Sequence, residues 1–141
     1  GLKGKFDYVF VDLPGNLKQP GVLATFVYVD YLFIPTSLSS FDLDSMAIFV
    51  DLYDEVIEKR KEIGETVKVH AILNRFNPRM KEFEAFKEMQ EKLPFKFLKH
   101  YIPQGDVMFQ RNVSTVDTYS HYKKGNVLKD IYNEFYNIIN N

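Results

Sequence analysis

The sequence predicts an α/β protein, a partial doubly wound parallel sheet with helices on both faces. Three observations predict it. Four short runs of apolar, β-forming residues recur along the 141 residues, at 6–13, 29–35, 67–74 and 97–102. Segments with apolar residues spaced by three and four separate them. The runs are continuous rather than strictly alternating, as in strands covered on both faces.

The first run reads F-D-Y-V-F-V-D-L and ends at Pro14-Gly15. A short helix over 23–28 follows Pro20-Gly21, and V-D-Y-L-F-I-P is the second strand. Ser39 with Asp42 then forms a capping box. Leu43, Met46, Ala47, Val50, Tyr53 and Ile57 stripe a helix over about 41–63, with Gly64 as its C′ residue. V-K-V-H-A-I-L-N is the third strand. Met80, Phe83, Phe86, Met89 and Leu93 stripe the next helix, closed by Pro94. The fourth strand spans 97–102, and residues 104–122 are polar and irregular. Leu128, Ile131, Phe135 and Ile138 mark a last helix with Asn126 as its N-cap. No repeat or linker divides the chain, so residues 1–141 read as a single domain or part of one.

Composition narrows the function classes. Lys and Arg total 18 against 19 Asp and Glu, a net charge of -1, so no global basic field points to nucleic acid. The chain has no cysteine, hence no disulfide, thiolate zinc site or cysteine nucleophile. That fits a cytoplasmic setting. No apolar run reaches the length of a membrane span and no signal peptide is visible. The three histidines show no metal-ligand spacing. Lys96, Lys99, His100, Arg111, Lys123 and Lys124, interleaved with Tyr101, Tyr119 and Tyr122, form a loosely basic stretch. It is either a solvated face or a DNA-phosphate contact. Tyr132, Phe135 and Tyr136 read as core and boundary packing. The chain opens on Gly1 rather than methionine, which reads as the scar of tag removal or processing on a part of a longer protein.

In open α/β sheets, ligands sit beyond the carboxyl ends of the strands. The strand ends are Asp12-Leu13-Pro14-Gly15, Pro35-Thr36-Ser37, Asn74-Arg75 and Ile102-Pro103-Gln104-Gly105. An aspartate after four β-formers can hold a magnesium ion or its water against a phosphate, or it can cap the adjoining turn. Gly15 lets a backbone N–H approach a phosphate oxygen. Asn74 can also cap its strand, and Arg75 can also serve a surface ion pair.

From Phe6 onward the sequence resembles the ParA/MinD family of deviant-Walker P-loop ATPases. F-D-Y-V-F-V-D-L-P-G is similar to that family's Walker B and switch II segment. V-D-Y-L-F-I-P-T-S is similar to its proline-ended strand, S-S-F-D-L-D-S to its serine-rich helix start, and A-I-L-N-R-F to its asparagine-arginine strand end. The resemblance extends to the strand ending Ile102-Pro103 and to Q-R-N-V-S-T-V-D-T-Y. It implies a P-loop NTPase-like domain and binding of ATP and magnesium. Asp12 would hold the magnesium shell and Gly15 would sense the γ-phosphate. Asn74, flanked by Arg75, would hydrogen-bond adenine, and the loop after Pro103 would close over the base. The implied role is partition or positioning of DNA on a plasmid, chromosome or conjugative element. The implied partners are a second copy in a nucleotide-dependent homodimer, DNA and a protein that stimulates turnover.

The Walker A loop is missing. G-L-K-G-K-F lacks the G-x-x-x-x-G-K-[ST] spacing and a strand leading into it. The expectation is therefore the C-terminal portion of such a domain, with N-terminal strands missing and no ATP hydrolysis by this chain alone. An exposed edge should then either pair with another chain or re-pair the first run with the second. The other class of function is a degenerate, non-catalytic α/β binding module acting through protein contacts.

Overall fold

The computed structural model describes residues 4–16, 19, 21–104 and 127–141. Its elements are α1 (Val22–Phe26), β1 (Tyr31–Thr36), α2 (Ser40–Glu62), β2 (Lys68–Leu73), α3 (Glu82–Gln90), β3 (Lys96–Phe97) and α4 (Val127–Asn140). The three strands form one parallel sheet in the order β1-β2-β3. The α/β class is thus as the sequence predicts.

β2 organises the sheet. It pairs with β1 over its whole length, from Tyr31 opposite Lys68 to Thr36 opposite Leu73, and with β3 at His70 and Ala71. Its side chains alternate between two apolar layers. Val69 and Ala71 join Val22, Phe26, Met46, Phe49 and Phe95 beneath α1 and α2. Leu73 packs with Leu38, Phe76 and Phe86 beneath α3. Ile72 faces the other way, with Leu98 and Ile131 beneath α4. Helices therefore cover both faces. Parallel crossovers are right-handed, which puts α2 and α3 on one side as the chain steps from β1 to β2 to β3. No helix of the described residues is long and apolar enough to cross a membrane.

α2 forms for the reasons its sequence shows. Ser39 Oγ accepts from the Asp42 N–H at 3.2 Å. At the far end Gly64 adopts φ 74°, and the Gly64 and Glu65 N–H groups return to Lys61 and Arg60 carbonyls. Asp42 does not complete a capping box: its carboxylate turns to Ser37 instead.

Among the described residues Arg60 is the buried charge, at 1% exposure. Its guanidinium donates to the Val27 carbonyl at 2.5 Å and the Thr66 carbonyl at 2.6 Å. It thereby ties the end of α1 to the turn that enters β2. Glu65, largely exposed, lies 3.1 Å away and adds little beside those bonds.

Several expectations are corrected. Residues 6–13 form no strand; Phe6, Tyr8, Val9, Phe10 and Val11 are exposed, Phe10 at 84%. A strand needs a ladder partner, and none of the described residues supplies one. Nor does this run re-pair with the second. The fourth strand shortens to Lys96–Phe97, with one parallel bridge from Pro103 to Phe76. Tyr132 and Tyr136 are exposed and stack on each other, whereas Phe135 packs on Phe33 at 4.0 Å between ring centres. Asn126, Arg111, Tyr119, Tyr122, Lys123 and Lys124 lie outside the described residues.

Replacing Arg60 leaves two carbonyls unpaired in the interior. Arg60→Ala should lower the unfolding free energy by about 3 kcal/mol. Arg60→Lys should recover only part, because an ammonium cannot span both acceptors as the guanidinium fork does. Chemical denaturation checks both; a loss under about 0.5 kcal/mol for Arg60→Ala would contradict the clamp.

Candidate functional site

The carboxyl ends of β1 and β2 meet at one rim, because parallel strands all point the same way. The Asn74 N–H donates to the Thr36 carbonyl at 2.7 Å and closes the ladder there. Arg75 then takes φ 53°, a left-handed backbone uncommon for a residue with a side chain. That twist lets the chain resume pairing one residue later. The Phe76 N–H donates to the Ile102 carbonyl at 2.9 Å, and the Gln104 N–H to the Phe76 carbonyl at 2.8 Å. Strain of this kind concentrates at functional sites.

A cavity of about 430 Å³ opens at this rim, lined by Thr36, Ser37, Ser39, Asp42, Asn74 and Arg75 with Pro35. That volume lies in the range of small-ligand sites. Among the described residues, neither the Asn74 amide nor the Arg75 guanidinium has a hydrogen-bond partner.

The serines and Asp42 form the ordered wall. The Ser37 N–H donates to Asp42 Oδ2 at 3.0 Å, and the Ser37 hydroxyl donates to the same oxygen. The Ser39 N–H in turn donates to Ser37 Oγ at 3.2 Å. The Ser37 hydroxyl bond, above all, holds the Asp42 carboxyl below its ordinary range. Burial opposes this, and the Ser37 N–H, Ser39 and the Arg75 charge assist. The wall is therefore anionic at neutral pH, facing the Arg75 cation.

The other expected site residues lie elsewhere. Asp12 and Gly15 line a larger cavity of about 1290 Å³ beside β1, on the exposed segment that precedes α1. Pro35, Thr36 and Asp42 wall both cavities, so the two spaces adjoin across the tip of β1. Gly15 has no left-handed backbone, and a Cβ there would meet nothing within 4 Å, so nothing around it demands glycine. Pro103 is half-buried in its bridge to Phe76. The loop after Gln104, expected to close over a base, lies outside the described residues.

The donor set fits the two halves of a nucleotide unequally. A side-chain amide offers a donor and an acceptor together, the pattern that matches the edge of adenine. The phosphate and magnesium half is not provided for. Among the described residues no three His, Cys, Asp or Glu side chains converge. Asp12 stands as an exposed carboxylate outside any such cluster. No phosphoryl-transfer step can be derived from these residues.

Reasoning from sequence missed Ser37 as the partner of Asp42, and it missed the backbone of Arg75. The run T-S-L-S-S-F-D carries the first signal: a hydroxyl five residues before an aspartate at a helix start. Nothing local in N-R-F announces the second.

Asp42→Asn should lower stability by about 1 kcal/mol near neutral pH, through weakened bonds from Ser37. The Asp42 carboxyl sits below its ordinary 3.8, so its contribution is full above that pH and fades as pH falls through the lower folded value. The difference between the two proteins in thermal denaturation should therefore vanish in strong acid; equal stability at pH 7 would contradict the assignment.

No known family model matches the chain, and no curated protein matches it.

Proposed function

We propose that the chain is the C-terminal portion of a ParA-like ATPase domain whose rim cavity receives the adenine of ATP. The parent protein would act in partition or positioning of DNA in the cytoplasm, as a homodimer stimulated by a partner protein. The observation that carries the reading is Asn74, an amide at the end of the central strand with no hydrogen-bond partner among the described residues, set beside the left-handed Arg75 in a ligand-sized cavity. The order of elements after Pro14, helix, strand, long serine-capped helix, strand, helix, strand, supports it. The P-loop NTPase-like fold belongs to the same proposal.

In this reading Asn74 recognises the base, and Arg75 and the Ser37–Asp42 wall flank it. Asp12 would hold magnesium only where a phosphate cradle supplies the remaining ligands, because that ion typically takes few protein carboxylates. The chain by itself then binds nucleoside weakly and turns over no ATP.

A second reading, a non-catalytic α/β module acting through protein contacts, is favoured by the exposed apolar run at residues 6–11.

Adenosine titrated into the isotope-labelled protein separates the two. The nucleotide reading expects millimolar binding that shifts the Thr36, Ser37 and Asn74 amide resonances, is weakened at least fivefold by Asn74→Ala, and is not matched by guanosine. Absent shifts, or equal shifts with guanosine, would contradict it. ATP turnover abolished by Asp12→Ala would overturn the claim that the chain alone is inactive.

A further inference from the structure

α4 lies across the face of the sheet that carries Phe33, His70 and Ile72. Side chains alternate along a strand, so His70 shares a face with Ile72, two residues on, and turns with it toward α4. The His70 ring is half-buried and stacks on Phe33 of β1, 5.8 Å between ring centres. Phe33 in turn bears Phe135 of α4 at 4.0 Å. Two residues earlier on β1, the Tyr31 hydroxyl donates to the Ile139 carbonyl at 3.1 Å. The C-terminal half of α4 thus rests on a row made by Tyr31, Phe33 and His70.

That row accommodates a neutral imidazole and not a charged one. His70 Nδ1 is buried and has no hydrogen-bond partner among the described residues. With its proton on Nε2, a neutral ring leaves only a lone pair at Nδ1; an imidazolium carries N–H on both nitrogens. Protonation therefore leaves a buried donor unpaired, next to the apolar ring of Phe33. The surrounding groups agree in sum. Burial, above all, holds the ring below its usual 6.5. Glu134 of α4 favours the charged form, whereas Lys68 on β2 and Lys96, opposite His70 on β3, disfavour it. From β1 the titratable neighbour is Tyr31, whose hydroxyl also meets Lys68 Nζ. Glu134 is already engaged, by the Lys99 and His100 N–H groups at 2.7 and 3.2 Å and by His100 Nδ1 at 2.8 Å.

We propose that His70 is a pH-operated latch for α4: acidification charges its ring, and residues 135–140 lift off Tyr31 and Phe33 while Glu134 keeps the helix tethered to the segment after β3. A group whose folded value is lowered supports the docked helix fully above its ordinary value and loses that contribution as pH falls toward the folded one. The window therefore opens below 6.5. The tether outlasts the upper part of that window. Burial raises the Glu134 carboxyl, but the Lys99 and His100 bonds outweigh it and hold the group below its ordinary 4.5. A charge on His100 would strengthen the bond to Glu134 rather than free it. The latch couples a proton to exposure of the Phe33–Phe135 contact. It does not rest on nucleotide binding.

The test compares the chain with its His70→Gln and His70→Phe variants between about pH 8 and about pH 5. Amide exchange, corrected for its intrinsic pH dependence, reads the helix residue by residue. Exchange at residues 135–139 should accelerate at least about tenfold over that range, the change that one pKa unit supplies. The Ala71 and Ile72 amides of β2 should keep their protection. Neither glutamine nor phenylalanine can charge, so either variant should abolish the acceleration, and His100→Gln should retain it. The His70 ring resonances of the unaltered chain should titrate with a midpoint below 6.5, in step with the Phe135 amide; this needs no variant to fold. Acceleration that survives both His70 substitutions or disappears with His100→Gln would overturn the proposal. So would acceleration spread equally over β2, a His70 midpoint at or above 6.5, or no acceleration at all.

Discussion

The pairing of β2 on both of its edges is the constraint on which the rest depends. A strand bonded on both sides and covered on both faces has no solvent to satisfy its backbone, so each N–H and C=O needs a chain partner. Ala71, fully buried, sits where both ladders and the α2 layer meet. Once β1 and β3 flank β2 in parallel, right-handed crossovers fix α2 and α3 to one face. α4 then takes the other. It is anchored at its middle by Glu134, which accepts from the Lys99 and His100 N–H groups at 2.7 and 3.2 Å and pairs with the His100 ring. Burial alone would raise the Glu134 carboxyl; those bonds outweigh it and hold it below its ordinary range. The helix is thereby locked to the segment after β3.

The rim cavity has its origin in the same geometry. Parallel strands end together, and the turn after each strand decides which groups gather there. After β1 comes a serine-rich turn whose hydroxyls and N–H groups organise Asp42. After β2 comes the left-handed Arg75, where pairing continues to Pro103, and the Asn74 amide has no partner among the described residues. A polar wall, an exposed turn and a left-handed backbone thus gather where two strands terminate.

What could be read from the sequence is what local chemistry decides. α2 is legible because its cap at Ser39, its apolar stripe and its stop at Gly64 all lie within the helix or beside it. β2 is legible as a continuous apolar run. The first run, F-D-Y-V-F-V-D-L, has the same local character, yet forms no strand, because a strand depends on a partner remote in sequence. Arg60 is invisible for a related reason. In E-K-R-K-E it reads as a solvated charged face, and only the convergence of the Val27 and Thr66 carbonyls makes it a buried clamp. At the site, Asn74 and Arg75 are legible as a strand end, whereas the φ of Arg75 and the Ser37–Asp42 bond emerge only from tertiary geometry.

The fold bonds β1 to β2 on one edge and, among the described residues, leaves its other edge without a strand. Amide hydrogen exchange on the free chain, read residue by residue, tests this directly. Protection should alternate along the strand: slow exchange at Leu32, Ile34 and Thr36, and exchange at least ~100-fold faster at Tyr31 and Phe33, as bonded and open amides differ. Uniform protection from 31 to 36 would mean that another strand already occupies the edge. Uniformly fast exchange would mean that the β1–β2 ladder, and the fold built on it, is absent.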